Sequence, residues 1–123
     1  MYHVRVESDF AAAHFLSGYR GNCEKLHGHN YRVRLWARGG SLDGSGMLAD
    51  FTVLKGTLRK VCAALDHSNL NDNPVFENSP SAERIARYIF DQVVQSLPEM
   101  EAKLINAVEV YETPVTMARY ERN

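Results

Sequence analysis

Cysteine is scarce in this chain, with 2 in 123 residues, which excludes a disulfide framework and leaves Cys23 and Cys62 each to be explained as a thiol. Long apolar runs are missing too: none approaches the roughly 20 residues that a bilayer-spanning helix needs. The opening stretch, with Glu7 and Asp9, lacks the layout of a secretory signal, so a cytoplasmic protein with no membrane partner is expected. Nor is there an excess of charge of one sign. The 14 Lys and Arg are interspersed with 15 Asp and Glu, for a formal net charge of -1. That argues against a large electrostatic footprint for nucleic acid while leaving room for a local anion site. No internal repeat, low-complexity tract or linker is visible.

What is present has the makeup of a globular protein, 45% hydrophobic and 24% charged, in a chain the length of one ordinary domain. Residues 1–123 are therefore read as a single domain with a modest core. Val4 and Val6 alternate with Arg5 and Glu7, and Tyr31, Val33, Leu35 and Ala37 alternate with Arg32, Arg34, Trp36 and Arg38, the period of two of a half-buried strand. Gly39, Gly40, Asp43, Gly44, Ser45 and Gly46 end the second strand. Leu54, Leu58, Val61 and Leu65 then recur at helical spacing, with Cys62 beside the stripe as core.

Between Asp66 and Ser79, the cluster Asn69, Asn71, Asp72, Asn73 and Pro74 reads as an irregular connection. A second helix follows, capped by Ser79 with Pro80 in its first turn and Ile85, Ile89 and Val93 as its stripe. Residues 104–112 and 115–120 read as strands separated by Thr113 and Pro114. The order β-β-α-α-β-β predicts an α+β domain, a four-stranded antiparallel sheet with both helices on one face. Free sheet edges predict an oligomer, since closing several copies into a barrel removes them.

The densest chemistry runs from Cys23 to Tyr31. On a strand, His27 and His29 project from one face. If the first strand extends to His14, one hairpin gathers three imidazoles, a known catalytic zinc arrangement with an open fourth position. A lone histidine is ordinarily a surface or core residue, which is the reading for His3; the set of three points to metal. Cys23 has three readings: a fourth ligand of a closed site, an inert thiol, or a base or nucleophile beside the metal. The reactive reading is favoured, because a closed site leaves no position for substrate. Asp66 and His67 read either as an acid/base pair or as a histidine answering a helix end. Glu112, at a strand end, signals nothing by itself, and Arg20 and Lys25 are either idle or positioned for a phosphorylated substrate.

Together the pieces resemble the family of 6-pyruvoyltetrahydropterin synthase and 6-carboxytetrahydropterin synthase. The matching motifs are Phe-Ala-Ala-Ala-His at 10–14, Cys-x3-His-Gly-His-Asn-Tyr at 23–31, Gly-Met-x2-Asp-Phe-x2-Leu-Lys at 46–55, Leu-Asp-His-x2-Leu-Asn at 65–71, and Tyr-Glu-Thr at 111–113. The resemblance implies the tunnelling fold, with trimers around a barrel, two trimers stacked into a hexamer, and active sites between subunits. By position, His14, His27 and His29 match the Zn2+ ligands, Cys23 the catalytic thiol, and Asp66 and His67 the second acid/base group.

Glu112 matches the carboxylate that anchors the pterin, and Ser81 falls where the family has a Thr near it, its plainer reading being a helix-start residue. The three residues between Cys23 and His27 resemble the bacterial carboxy-forming branch, which acts in queuosine precursor synthesis on 7,8-dihydroneopterin triphosphate. Asp50-Phe51 leans the same way. Glu24 resembles the acid/base residue of a third, folate-linked branch that cleaves the side chain, and the pyruvoyl-forming branch is a further alternative. The rival from another class is a non-catalytic zinc-stabilised assembly domain with Cys-His3 ligation.

Overall fold

The computed structural model describes residues 1–18 and 25–123. Two 13-residue strands, β1 (Tyr2–His14) and β2 (His27–Gly39), pair antiparallel along their whole length, from Tyr2 opposite Gly39 to His14 opposite His27. They are followed by α1 (Phe51–Leu65), β3 (Ser68–Asn69), α2 (Ala82–Ser96), α3 (Glu99–Ala102), β4 (Ile105–Thr113) and β5 (Thr116–Glu121). The strands form one sheet in the order β3-β1-β2-β4-β5. Its four long strands are antiparallel, as their alternation predicts. The two-residue β3, which runs parallel to β1, is an addition that follows from the His67 amide donating to the Ala11 carbonyl at 2.6 Å.

The alternation decides which face is covered. Tyr31, Val33, Leu35 and Ala37 are fully buried, each such side chain contributing about 1.5–3 kcal/mol of burial where it is Val or Leu. Against this face α1 packs on β1 through Leu54, Leu58, Val61 and Leu65, and α2 packs on β4 and β5 through Ile85, Ile89 and Val93. Cys62 is core as expected, and burial pushes its thiol up to about 12. Asp50 starts α1 by accepting the Thr52 amide at 2.8 Å. The opposite face stays stable without cover because it is polar: Glu109 accepts from Trp36 Nε1 at 2.7 Å and from Arg119 at 3.1 Å, a pattern open to antiparallel sheets. Among the described residues, no helix is long and apolar enough to cross a membrane.

The connection after α1 is more regular than its composition suggests. Asn69 and Asn73 each accept an amide two residues on, at 3.1 Å, and so cap two short 3₁₀ turns, Leu70–Asp72 and Pro74–Phe76. Buried Leu70 and Phe76 pin these turns to the core. Asn71 then ties the connection to the end of β1, accepting from the Phe15 amide at 2.9 Å and donating to its carbonyl at 3.0 Å.

The cap of α2 is Ser81, not Ser79. Its hydroxyl oxygen accepts the Arg84 amide at 3.2 Å, whereas Ser79 bonds through its backbone, its amide donating to the Phe76 carbonyl and its carbonyl accepting the Ser81 amide. Pro80 stands outside the helix because its carbonyl is taken by a side chain of β1, described below. Replacing Ser81 by Ala is expected to cost about 1 kcal/mol of stability in chemical denaturation, the usual loss for an N-cap hydroxyl.

Candidate functional site

Register brings the three histidines together. His14 lies opposite His27 and Ala12 opposite His29, so the three rings share the helix-covered face at the end of the β1–β2 pair. The Nε2 atoms of His14 and His27 are 3.0 Å apart, as are those of His27 and His29, and the ligand atoms of all three lie within 4.8 Å of one another. Two of the rings are turned by backbone carbonyls: His14 Nδ1 meets the Pro80 carbonyl at 2.8 Å and His27 Nδ1 the Lys25 carbonyl at 2.7 Å. A carbonyl only accepts, so both Nδ1 atoms carry a proton, and in the neutral rings both Nε2 atoms present lone pairs to each other. Lone pairs facing at that distance repel unless a cation sits between them.

A tetrahedral ion bound at roughly 2.0–2.1 Å by each nitrogen would hold its ligands about 3.3 Å apart. Two of the three spacings, at 3.0 Å, lie close to that value, and the third is within 4.8 Å. His14 is fully buried, while His29 is half-buried. Burial holds His29 below its ordinary range; Glu112 opposes this, and His14 and His27 reinforce it. The neutral imidazole is the form that ligates metal.

Glu112 reaches the same place by a different route. Strand β2 pairs with β4 only between Arg32–Tyr111 and Ala37–Ile105, whereas its pairing with β1 runs on to His27. Beyond Tyr111 the two strands part, and the β4–β5 register slips between Tyr111 and Thr113, leaving Glu112 as the irregular residue. A bulge of this kind re-aims a side chain. Glu112 Oε2 lies 3.8 Å from His29 Nε2. The gap is a cleft of about 650 Å³ lined by His29, Asn30, Arg32, Arg34, Tyr111 and Glu112 among others. Ser81 and Glu112 also share a neighbouring cleft of about 490 Å³.

Asp66 and His67 form their own unit at the β1 edge. Asp66 Oδ1 accepts the Ala11 amide at 2.8 Å, and Oδ2 meets His67 Nδ1 at 2.7 Å. The Ala11 amide first, and then His67, holds the Asp66 carboxyl below the usual range. His67 adopts φ +55° and its side chain is 84% exposed. Among the described residues no hydrogen bond or ion pair links this pair to the three histidines, although His67 and His29 border one open groove of about 540 Å³. Cys23, with Arg20 and Glu24, lies outside the described residues. Lys25 contributes its carbonyl to His27. Sequence reasoning missed the carbonyls of Lys25 and Pro80, for which a residue type carries no signal.

The family model for 6-pyruvoyl tetrahydropterin synthase matches residues 3–123 of this chain. A Synechocystis protein named 6-carboxy-5,6,7,8-tetrahydropterin synthase is 38% identical, the match covering 98% of this chain and 93% of the relative. A Bacillus subtilis protein of the same name is 34% identical over 97% of this chain and 84% of its own. The structure of the Caenorhabditis elegans 6-pyruvoyl tetrahydropterin synthase superposes with a TM-score of 0.88 at 26% identity, covering 99% of this chain and 96% of that one.

Proposed function

The chain belongs to the 6-pyruvoyl tetrahydropterin synthase family, and from that membership we propose that it is a zinc-dependent 6-carboxy-5,6,7,8-tetrahydropterin synthase. The reaction takes 7,8-dihydroneopterin triphosphate and water to 6-carboxytetrahydropterin, triphosphate and acetaldehyde. The observation that carries this reading is the convergence of three imidazole nitrogens beside a carboxylate that no hydrogen-bond donor holds among the described residues. The names of the Synechocystis and Bacillus relatives favour the carboxy-forming reaction over the pyruvoyl-forming one.

In this proposal His14, His27 and His29 hold Zn2+, which when bound lowers the acidity barrier of side-chain hydroxyls and of the C–H beside a carbonyl. Cys23, as thiolate, takes a proton from one face of the side chain. Asp66 orients His67 through Nδ1, which leaves Nε2 to exchange protons with the substrate at the other. Glu112 accepts two parallel hydrogen bonds from the amino-pyrimidine edge of the pterin. To do so its carboxylate turns away from His29, because the pterin's bicycle separates that edge from the side-chain hydroxyls. Ser81, which shares the neighbouring cleft with Glu112, supplies a hydroxyl near the ring. The assembly proposed is a cytoplasmic hexamer with inter-subunit active sites, and the pathway is queuosine precursor synthesis.

Incubation of the zinc-loaded protein with 7,8-dihydroneopterin triphosphate is the deciding test, with mass spectrometry expected to find acetaldehyde and 6-carboxytetrahydropterin. A pyruvoyl or hydroxymethyl product would move the protein to a sister activity, and no turnover would favour a zinc-stabilised assembly domain. Glu112→Ala is expected to raise KM about tenfold or more, the loss of a charge-assisted contact, with zinc content unchanged. An unaltered KM refutes the anchoring role.

A further inference from the structure

At the histidine end of β1, the strand's outer edge is held by a side chain. The His67 amide donates to the Ala11 carbonyl, and Ser68 and Asn69 lie opposite Ala12 and Ala13. The chain then coils into the 3₁₀ turn Leu70–Asp72, where its backbone no longer runs beside β1. The Asn71 carboxamide takes over. Its Oδ1 accepts the Phe15 amide at 2.9 Å and its Nδ2 donates to the Phe15 carbonyl at 3.0 Å. One residue beyond His14, a single fork answers both backbone groups, as a paired strand would.

The same amide nitrogen also reaches the Asn78 carbonyl and Asn78 Oδ1, both at 3.1 Å. Ser17 ties Asn78 to the same strand end, its hydroxyl donating to the Asn78 carbonyl at 2.6 Å and accepting from Asn78 Nδ2 at 3.0 Å. Glu77 and Asn78 both stand at positive φ, +51° and +58°, an uncommon succession that these bonds hold in place. Two residues further on, buried Pro80 offers the carbonyl that His14 Nδ1 meets at 2.8 Å. Asn71 therefore bonds to both halves of one closed circuit: the backbone that carries the His14 ring, and the loop that carries the acceptor orienting it.

We propose that Asn71 is a positioning residue for the metal site, setting the His14 backbone against the Pro80 carbonyl and so aiming the His14 Nε2 lone pair. That nitrogen stands 3.0 Å from His27 Nε2, and a ring free to rock about its Nδ1 contact would not hold the spacing. The side-chain type follows from the task. Aspartate has no donor for the Phe15 and Asn78 carbonyls, and glutamine places its fork one methylene too far out. The proposal rests on the metal reading of the three histidines and not on the pterin chemistry.

The test measures zinc affinity by chelator competition, at a temperature where each metal-free protein is folded, and records the visible absorption of the cobalt-loaded forms as a report on ligand geometry. Asn71→Ala is expected to weaken zinc about tenfold, the lower end of what losing an outer partner of a ligating histidine costs, and to alter the cobalt spectrum. Asn73→Ala is the control. It removes a cap of the same connection, the acceptor of the Val75 amide at 3.1 Å, and makes no bond to β1 among the described residues. It should lower the unfolding midpoint while leaving zinc affinity and the cobalt spectrum as they are. If Asn71→Ala does not fold, Asn78→Gly carries the test. Glycine keeps the left-handed backbone and loses only the side-chain bonds, and a fall in zinc affinity of about threefold is expected, the worth of a hydrogen bond. Zinc affinity equal to wild type in the folded variant, or an equal loss in Asn73→Ala, overturns the positioning role. A wild type that binds no zinc overturns the metal reading itself, and the role with it.

Discussion

Replacing His27 by Ala is expected to strip the protein of its metal, from about one zinc per chain to near none, and to abolish turnover with it. His27 is the member of the set to remove because its Nε2 stands 3.0 Å from both other Nε2 atoms, so its loss leaves two nitrogens that no longer close around one ion. His14 would be a poorer choice. Its ring is fully buried and donates to the Pro80 carbonyl, so truncation would open a cavity, orphan that carbonyl, and confound metal loss with unfolding. His27 is half-buried, and among the described residues its only other hydrogen-bond partner is the carbonyl of Lys25, two residues away. Stability separates the cases. Wild type should gain about 2.7 kcal/mol when free zinc is a hundredfold above its dissociation constant, the general result for a ligand that binds only the folded state. The variant should gain almost nothing, and the two metal-free proteins should unfold at similar denaturant concentrations. A variant that keeps one zinc per chain on elemental analysis sinks the ligand set.

What the sequence made legible was whatever repeats locally. Alternation around Tyr31 to Ala37 sets the buried face of β2, and the same period applied to Phe10, Ala12 and His14 places the third histidine, because pairing in register leaves strand residues only two faces to choose between. Helical spacing likewise marked Leu54, Leu58, Val61 and Leu65. What stayed hidden depends on backbone atoms and on distant partners. Ser79 and Ser81 are equally good caps on paper; Ser81 wins because the Pro80 carbonyl is drawn to His14, 66 positions away. The pairing of β3, Ala12 opposite Ser68 and Ala13 opposite Asn69, is led in by the His67 amide, and no side-chain pattern marks a two-residue strand. Glu112 looked like any solvated strand end until the slip in β4–β5 register aimed it at His29.

His67→Asn is expected to lower turnover by about 10²- to 10⁴-fold, the usual contribution of a positioned general acid or base, while zinc content and the unfolding midpoint stay where they are. The choice of asparagine matters. His67 holds φ +55°, a left-handed conformation that alanine enters at a cost of roughly 1–2 kcal/mol but asparagine adopts readily. His67→Ala would therefore mix strain into the result. The backbone amide of residue 67, which pairs β3 to β1 through Ala11, is untouched by the change. Asp66 keeps its bond from the Ala11 amide, so α1 stays tied to the sheet. Only the ring that can accept and return a proton is removed, and the rate should report its loss. A fall of less than tenfold would reduce the pair to a structural tie at a helix end. Because no hydrogen bond or ion pair joins Asp66 and His67 to the histidine set among the described residues, the proposed inter-subunit site adds a second, independent reading of the same variant. Co-assembling His67→Asn with His27→Ala, each inactive alone, should restore part of the activity, since some neighbours would pair an intact histidine set with an intact Asp66–His67. If every site is built within one chain, the mixture stays as inactive as its components.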